Sequence, residues 1–220
     1  MITTLQSLIN DWRLLIGEPD ATNSRWVDAT HGKFYVNEGR REFSKASKAV
    51  KSEFRRITSI GATSPQGSGE EARYDLDPLV IKIDRVEWNG HHLQEKNLNW
   101  DDDTGRGYFV RQDSLLQGIP CYFRRVGNSI DLYPAPSEEK TLIIIASTIS
   151  ADLELLSSED NELKDDQNQV AIRYAAFKAL TDDGRDGSIY IQQFADGVKF
   201  YNNVYNPRTS IGVKQTYDYE

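Results

Sequence analysis

The amino-acid sequence predicts an α+β protein, a four-helix core with an inserted antiparallel β lobe, on three observations. Apolar residues recur at spacings of three and four near both ends of the chain, while short alternating segments punctuated by turn residues fill the middle. A polar stretch rich in Gly and Ser, "GATSPQGSGEEA" at 61–72, separates the first helices from the strands. The expected boundaries are 1–60 and 150–206 for a discontinuous helical core, 73–148 for the β lobe, and 207–220 for an extended C-terminal tail. A length of 220 residues suits one core with a sizeable excursion better than two independent domains.

Leu5, Leu8, Ile9, Trp12, Leu15 and Ile16 form one stripe of a first helix. Thr3 with Gln6 reads as its capping box, and Gly17 followed by Pro19 as its end. A second helix is expected from an N-cap at Asp28, with Val36, Gly39, Phe43, Ala46 and Val50 on its packing face. His31 and Gly32 weaken its first turn, the glycine alone by about 1 kcal/mol against alanine. Gly39 on the packing face would let another backbone come close. "FRRITSI" at 54–60 reads as a helix end or a first strand, with the strand favoured.

In the β lobe, Ile81 and Ile83 alternate with Lys82 and Asp84 before the apolar phase flips to Val86 and Trp88, which predicts a bulge at Asp84 and Arg85. Asn89-Gly90 is a type I′ hairpin signal. In "GIPCYFRRVGNSIDLYPAPS", residues 118–137, a two-residue turn at Gly127-Asn128 sets Val126 opposite Ser129, Arg125 opposite Ile130 and Phe123 opposite Leu132. Cys121 falls on the face of Phe123 as a small core residue, and Pro134 and Pro136 end the ladder. "TLIIIAS" at 141–147 is apolar on both faces, as expected of a strand covered on both sides by helices or another subunit.

Asp166 with Gln169 reads as a capping pair for a third helix, and Asp165 and Asp166 suit its positive end. Val170, Tyr174 and Phe177, with Ile172, Ala176 and Leu180, predict a largely buried helix stopped by Gly184. A fourth runs from about Asp186 through Tyr190, Phe194, Val198, Tyr201 and Tyr205 to Asn206-Pro207. The tail "RTSIGVKQTYDYE" has too few apolar residues to fold alone and needs a partner.

Composition narrows the function. The 26 basic and 34 acidic side chains leave a charge of −8 and an isoelectric point near 5.0, which disfavours a general nucleic-acid binder. With neither a signal peptide nor a run of about 18 apolar residues, the chain reads as soluble and intracellular. A single cysteine excludes an internal disulfide and a Cys-rich metal cluster. Enzymes need convergent acids, bases or nucleophiles, and each candidate fails on spacing. His31 is isolated, His91-His92 follow a turn, and Cys121 has no histidine partner. "DDDTGRG" from Asp101 starts like a calcium loop, but Gly105, Arg106 and Gln112 stand where ligands or the turn glycine belong. "TDDGRDG" fails likewise. No catalytic, cofactor or metal residue is assigned, and an enzyme is not expected.

One charged stretch remains. Lys33, Arg40, Arg41, Lys45, Lys48, Lys51, Arg55 and Arg56 outnumber Glu38, Glu42 and Glu53. Arg41, Lys45, Lys48 and Lys51 would cluster on a helix to meet phosphate or an acidic protein; the plainer reading is a solvated face. No interleaved aromatics support base stacking.

The motif ensemble resembles the adaptor, or head-completion, proteins in the neck of tailed bacteriophages. A short first helix is followed by Trp26-Val27-Asp28, then a helix bearing Asn37-Glu38. Tyr74-Asp75-Leu76 leads into the strands, with Asp77 where the pattern has proline and Pro78 one place late. Gly118, Pro120 and Tyr122 precede Leu132, Tyr133, Pro134 and Pro136, and two helices rich in alanine and aromatics close the pattern. The resemblance implies a homododecameric ring that binds the portal and a downstream tail or nozzle protein, with packaged double-stranded DNA passing through its channel and no membrane partner. It implies residence in the virion neck, with assembly in the host cytoplasm and a part in viral DNA ejection. Net acidity suits a conduit wall that repels phosphate. The expected contact residues are Arg41, Lys45, Lys48 and Lys51 towards an acidic portal rim, and Arg208, Ile211, Val213, Tyr217 and Tyr219 in the tail. The alternative is a DNA-binding accessory protein that uses the basic second helix.

Overall fold

The computed structural model describes residues 3–22, 24–58, 72–96 and 117–205. In chain order the elements are α1 (Leu5–Ile16), a π-helical turn (Asp28–Gly32), α2 (Lys33–Ser47), β1 (Lys51–Ile57), β2 (Ala72–Asp75), β3 (Val80–Trp88) and β4 (His91–Glu95). They continue with β5 (Gln117–Gly118), β6 (Tyr122–Val126), β7 (Ser129–Tyr133), β8 (Ala135–Pro136), β9 (Thr141–Thr148), α3 (Asp165–Asp182) and α4 (Ser188–Tyr205). The chain divides into two compact units, Met1–Ser47 with Ser150–Glu220, and Lys48–Ile149. No described helix is long and apolar enough to cross a membrane.

The expectation of a four-helix core with an inserted antiparallel lobe is overturned. Strands make up about 28% of the described residues, and seven of them form one curled, mixed sheet in the order β1-β9-β3-β4-β6-β7-β2. β4 and β6 run parallel, with Gln94 opposite Tyr122 and Glu95 opposite Phe123. The sheet also covers its own apolar cluster, including Val86, Trp88, Leu93, Phe123, Ile130, Leu132, Leu142 and Ile144. Hairpin signals expose only antiparallel neighbours; a parallel pair is joined by a long crossover that leaves no local mark.

In the helical unit, α1 is capped one residue later than expected. The Thr4 side chain accepts from the Ser7 amide, and Ser7 Oγ accepts from the Thr4 amide. Thr3 instead donates to Asp165, and Gln6 donates to Asn10 and Asp28. Asp28 is no N-cap: its carboxylate accepts from Arg13 Nε at 2.6 Å, and the helix enters through the π-turn from Val27. The Val27 amide donates to His31 Nδ1 at 3.1 Å. Gly32 packs on Ile9, where a Cβ would lie 2.9 Å from Cγ2. Trp12, Trp26 and Tyr35 pack as an aromatic cluster, their ring centroids 5.5–5.9 Å apart.

α2 stops at Ser47, ahead of Val50, where Lys48 takes φ +55°. Ala46 is exposed, whereas Ser44 and Ser47 are buried with hydroxyls donating to the Arg40 and Phe43 carbonyls. Gly39 meets the backbone of α3, as its position on the packing face predicts. The buried face of α3 is Ala171, Ile172, Ala175, Ala176, Ala179 and Leu180; Val170, Tyr174 and Phe177 are half-buried. Small side chains face α2 because only they admit a helix carrying glycine at the contact. The Lys164 amide donates to Gln167 Oε1, so Gln167 takes the capping place expected of Gln169. On α4, Phe194 is buried and Tyr190 donates to the Leu15 carbonyl at 2.6 Å.

In the sheet unit the β6–β7 register is the expected one, with Phe123 opposite Leu132 and Arg125 opposite Ile130. Register shifts between Ile83 and Arg85 mark the bulge, and Asn89 and Gly90 both take positive φ. β1 begins three residues before the expected strand. β9 lies between β1 and β3, with Leu142, Ile144 and Ala146 buried but Ile143 and Ile145 only half-buried, so one face is not fully covered. Cys121 is exposed, not core: it precedes the first β6 residue, and its thiol donates to the Ile119 carbonyl. Pro134 ends the β6–β7 ladder, but Ala135–Pro136 continue as β8 beside β5.

Candidate assembly interface

The cations of α2 are largely committed to nearby carboxylates. Arg40 is buried, and its Nε and Nη2 donate to the two oxygens of Asp160 at 2.8 and 2.9 Å. Its Nη1 donates to the Ala151 carbonyl at 2.6 Å. Arg41 forks onto Asp152, one bond at 2.8 Å, and also reaches Glu38 at 3.4 Å. Lys45 lies 2.6 Å from Glu42, and Lys33 2.7 Å from Glu154. Hydrogen bonds to Asp152 and to Glu42 raise the pKa values of Arg41 and Lys45 above the usual range. In the other unit, Lys51 donates to Asp84 and to Ser147 Oγ, both at 2.7 Å. Lys48 is exposed and forms no ion pair among the described residues. Of the four cations expected to cluster, Arg41 and Lys45 belong to the helical unit, Lys48 and Lys51 to the sheet unit.

Asn37, from the Asn-Glu pair, clamps a loop. Its Nδ2 donates to the Leu153 carbonyl at 3.1 Å and its Oδ1 accepts from the Leu153 amide at 3.0 Å. Asp160 anchors the same region. Burial pushes its pKa up, but hydrogen bonds and charge from Arg40, with amides of Leu163 and Glu162, hold it below the ordinary range. These groups bond one another and present no reactive pair. Among the described residues no cluster of His, Cys, Asp or Glu could hold a metal ion. Asp182 accepts from Lys178 and Tyr35, and Asp183 pairs with Arg25.

α2, α3 and α4 frame a cleft of about 590 Å³. Phe43, Val170, Phe200 and Tyr201 form its apolar walls, and Asp166, Arg173, Gln193 and Asp196 its polar lining. Phe200, at its mouth, is 67% exposed and Val204, one turn on, 51%. Apolar bodies with a polar rim suit a protein partner better than a reaction. Phe200 and Val204 were absent from the expected contacts, although the signal was present: Ile189, Phe200 and Val204 form a second apolar set on α4, apart from Tyr190, Phe194, Val198 and Tyr201. The tail residues Arg208, Ile211, Val213, Tyr217 and Tyr219 lie outside the described residues, as does the "DDDTGRG" segment.

No curated protein matches the chain. The family model described as SU10 adaptor protein matches residues 3–209, nearly the whole length. By that match the chain belongs to the SU10 adaptor protein family, a family of phage head–tail adaptors.

Proposed function

We propose that this adaptor assembles as a closed ring, twelve copies in number, that docks on the portal of a phage capsid, receives a downstream tail or nozzle protein, and continues the DNA channel. Membership of a structural head–tail family supports this reading. The observation that carries it is the pair Phe200 and Val204, large apolar side chains exposed one turn apart beside the α2–α3–α4 cleft. Such a surface in a chain of net charge −8 is suited to burial against protein. The contacts to portal and neighbours involve Arg41, Lys45, Lys48 and Lys51, with Arg208, Ile211, Val213, Tyr217 and Tyr219 of the tail. The ring forms in the host cytoplasm and resides in the virion neck, where repeated negative charge keeps passing DNA from sticking.

The DNA-binding alternative is weakened by the net charge of −8, which repels phosphate. Native mass spectrometry and negative-stain imaging, on the protein alone and mixed with portal protein, test the proposal. Rings are expected; a protein that stays monomeric in both samples refutes it. Duplex binding that falls steeply between about 50 and 200 mM salt would favour the alternative instead.

A further inference from the structure

We propose that the outer edge of β1 receives the C-terminal residues 215–220 of a neighbouring copy as an added strand. This deepens the ring reading and rests on it. β1 is a terminal strand of the seven-stranded sheet, paired along its whole length with β9 on one side only. The Thr58 amide bonds the Lys140 carbonyl and the Thr148 amide the Val50 carbonyl, which sets the hydrogen-bonded pairs at even positions of β1. Lys51, Glu53, Arg55 and Ile57 therefore turn their amides and carbonyls away from β9. Among the described residues nothing covers this edge, and Ile57 is 73% exposed.

The edge is chemically selective. Phe54 packs on the apolar cluster, so Ser52, Phe54 and Arg56 share the inner face while Lys51, Glu53 and Arg55 share the outer one. Charged side chains on an edge strand discourage indiscriminate pairing. Lys51 bonds Asp84 at 2.7 Å and Arg55 bonds Glu53 at 2.6 Å, so an incoming acidic strand shares the exposed Arg55 with Glu53. The chain ends in "QTYDYE", in which Tyr217 and Tyr219 alternate with Asp218 and Glu220. Thr and Tyr favour extended backbone, and period two puts both tyrosines on one face and both acids on the other. One parallel register sets Tyr217 beside Phe54, Asp218 beside Arg55 and Tyr219 beside Arg56. Main-chain bonds supply affinity in this mode, and the alternate side chains specificity. From Tyr205, where α4 ends, the remaining 15 residues can span about 50 Å, enough to reach another copy. Tail-to-edge pairing uses two different surfaces, so it propagates head to tail, the kind of contact a cyclic ring requires.

The test uses full-length chains in a Cys121→Ser background. Copies carrying Glu53→Cys are mixed with copies carrying Thr216→Cys, assembled, and treated with a short bifunctional thiol cross-linker. A covalent dimer containing both variants is expected. Asp218→Lys should lower its yield about tenfold, and Arg55→Glu on the other copy should restore it. Two outcomes overturn the inference: no mixed dimer in samples that still form rings, or a doubly substituted chain that closes on itself at high dilution. If native mass spectrometry finds no rings in these samples, the ring reading fails with it.

Discussion

Substituting Gly39 by alanine sets two physical effects against each other, and their signs differ. Helix propensity alone would make Gly39→Ala stabilising by about 1 kcal/mol in the middle of α2. Packing opposes it. The added Cβ would stand 2.3 Å from the Ala171 carbonyl oxygen, 3.1 Å from its carbon and 3.2 Å from Ala175 Cβ. The nearest atom belongs to the backbone of α3 and cannot swing aside, so α2 and α3 must separate by roughly 1 Å. Overpacking of this kind costs up to about 3 kcal/mol, so the net loss is about 2 kcal/mol. For a chain of this size that lowers Tm by roughly 4–8 °C. Thermal melts followed by far-ultraviolet circular dichroism measure the difference. Ala46→Gly, at an exposed position of the same helix, calibrates propensity alone and should cost about 1 kcal/mol. A Gly39→Ala protein as stable as the parent, or more so, would refute the reasoning that close backbone approach holds α2 against α3.

Arg40→Met should cost about 3–5 kcal/mol at neutral pH, because it leaves Asp160 charged and buried. Asp160 has a folded pKa below its unfolded value, so its contribution is complete above about pH 4 and is lost as pH falls through the folded value. In the variant burial raises that pKa, so the stability gap between the two proteins should narrow on acidification; denaturant midpoints between pH 7 and pH 3 give the answer, and a constant gap would count against the assignment. Asn37→Leu strands the amide and carbonyl of Leu153 and should cost about 2–3 kcal/mol in urea melts. Asp131→Ala leaves Arg73 and Arg124 without the carboxylate they bond, so amide exchange should speed up in the sheet unit and stay nearly unchanged in the helical unit. Phe200→Ser with Val204→Ser should leave Tm within about 2 °C, since both side chains are exposed, while reducing assembly seen by native mass spectrometry.

The helices and the hairpins were legible in the chain because their signals are local. The stripe of Leu5, Leu8, Ile9, Trp12 and Ile16 is buried as its spacing implies, and Gly127-Asn128 sets the register of β6 on β7. Where a distant partner competes with a local one, the cap moves. Asp28 looked like a cap but bonds Arg13, and Thr3 yielded the cap to Thr4 while bonding Asp165, which lies far along the chain. The basic stretch was visible as a run of cations, yet no pattern within it revealed that Arg40 is buried against Asp160 or that Arg41 is held by Asp152.

By itself the sequence determined that helices flank a strand-rich middle, where most of them begin and end, that Gly39 stands at a close contact, and which family the motifs resemble. Tertiary structure decided that seven of the described strands form one mixed sheet, that β4 runs parallel to β6, that β1 stands at its edge, and that the cations of α2 are largely neutralised. The difference is one of range. Caps, turns and periodicity are settled by neighbours a few residues apart, whereas strand order and ion pairing depend on segments that meet only after the chain has collapsed.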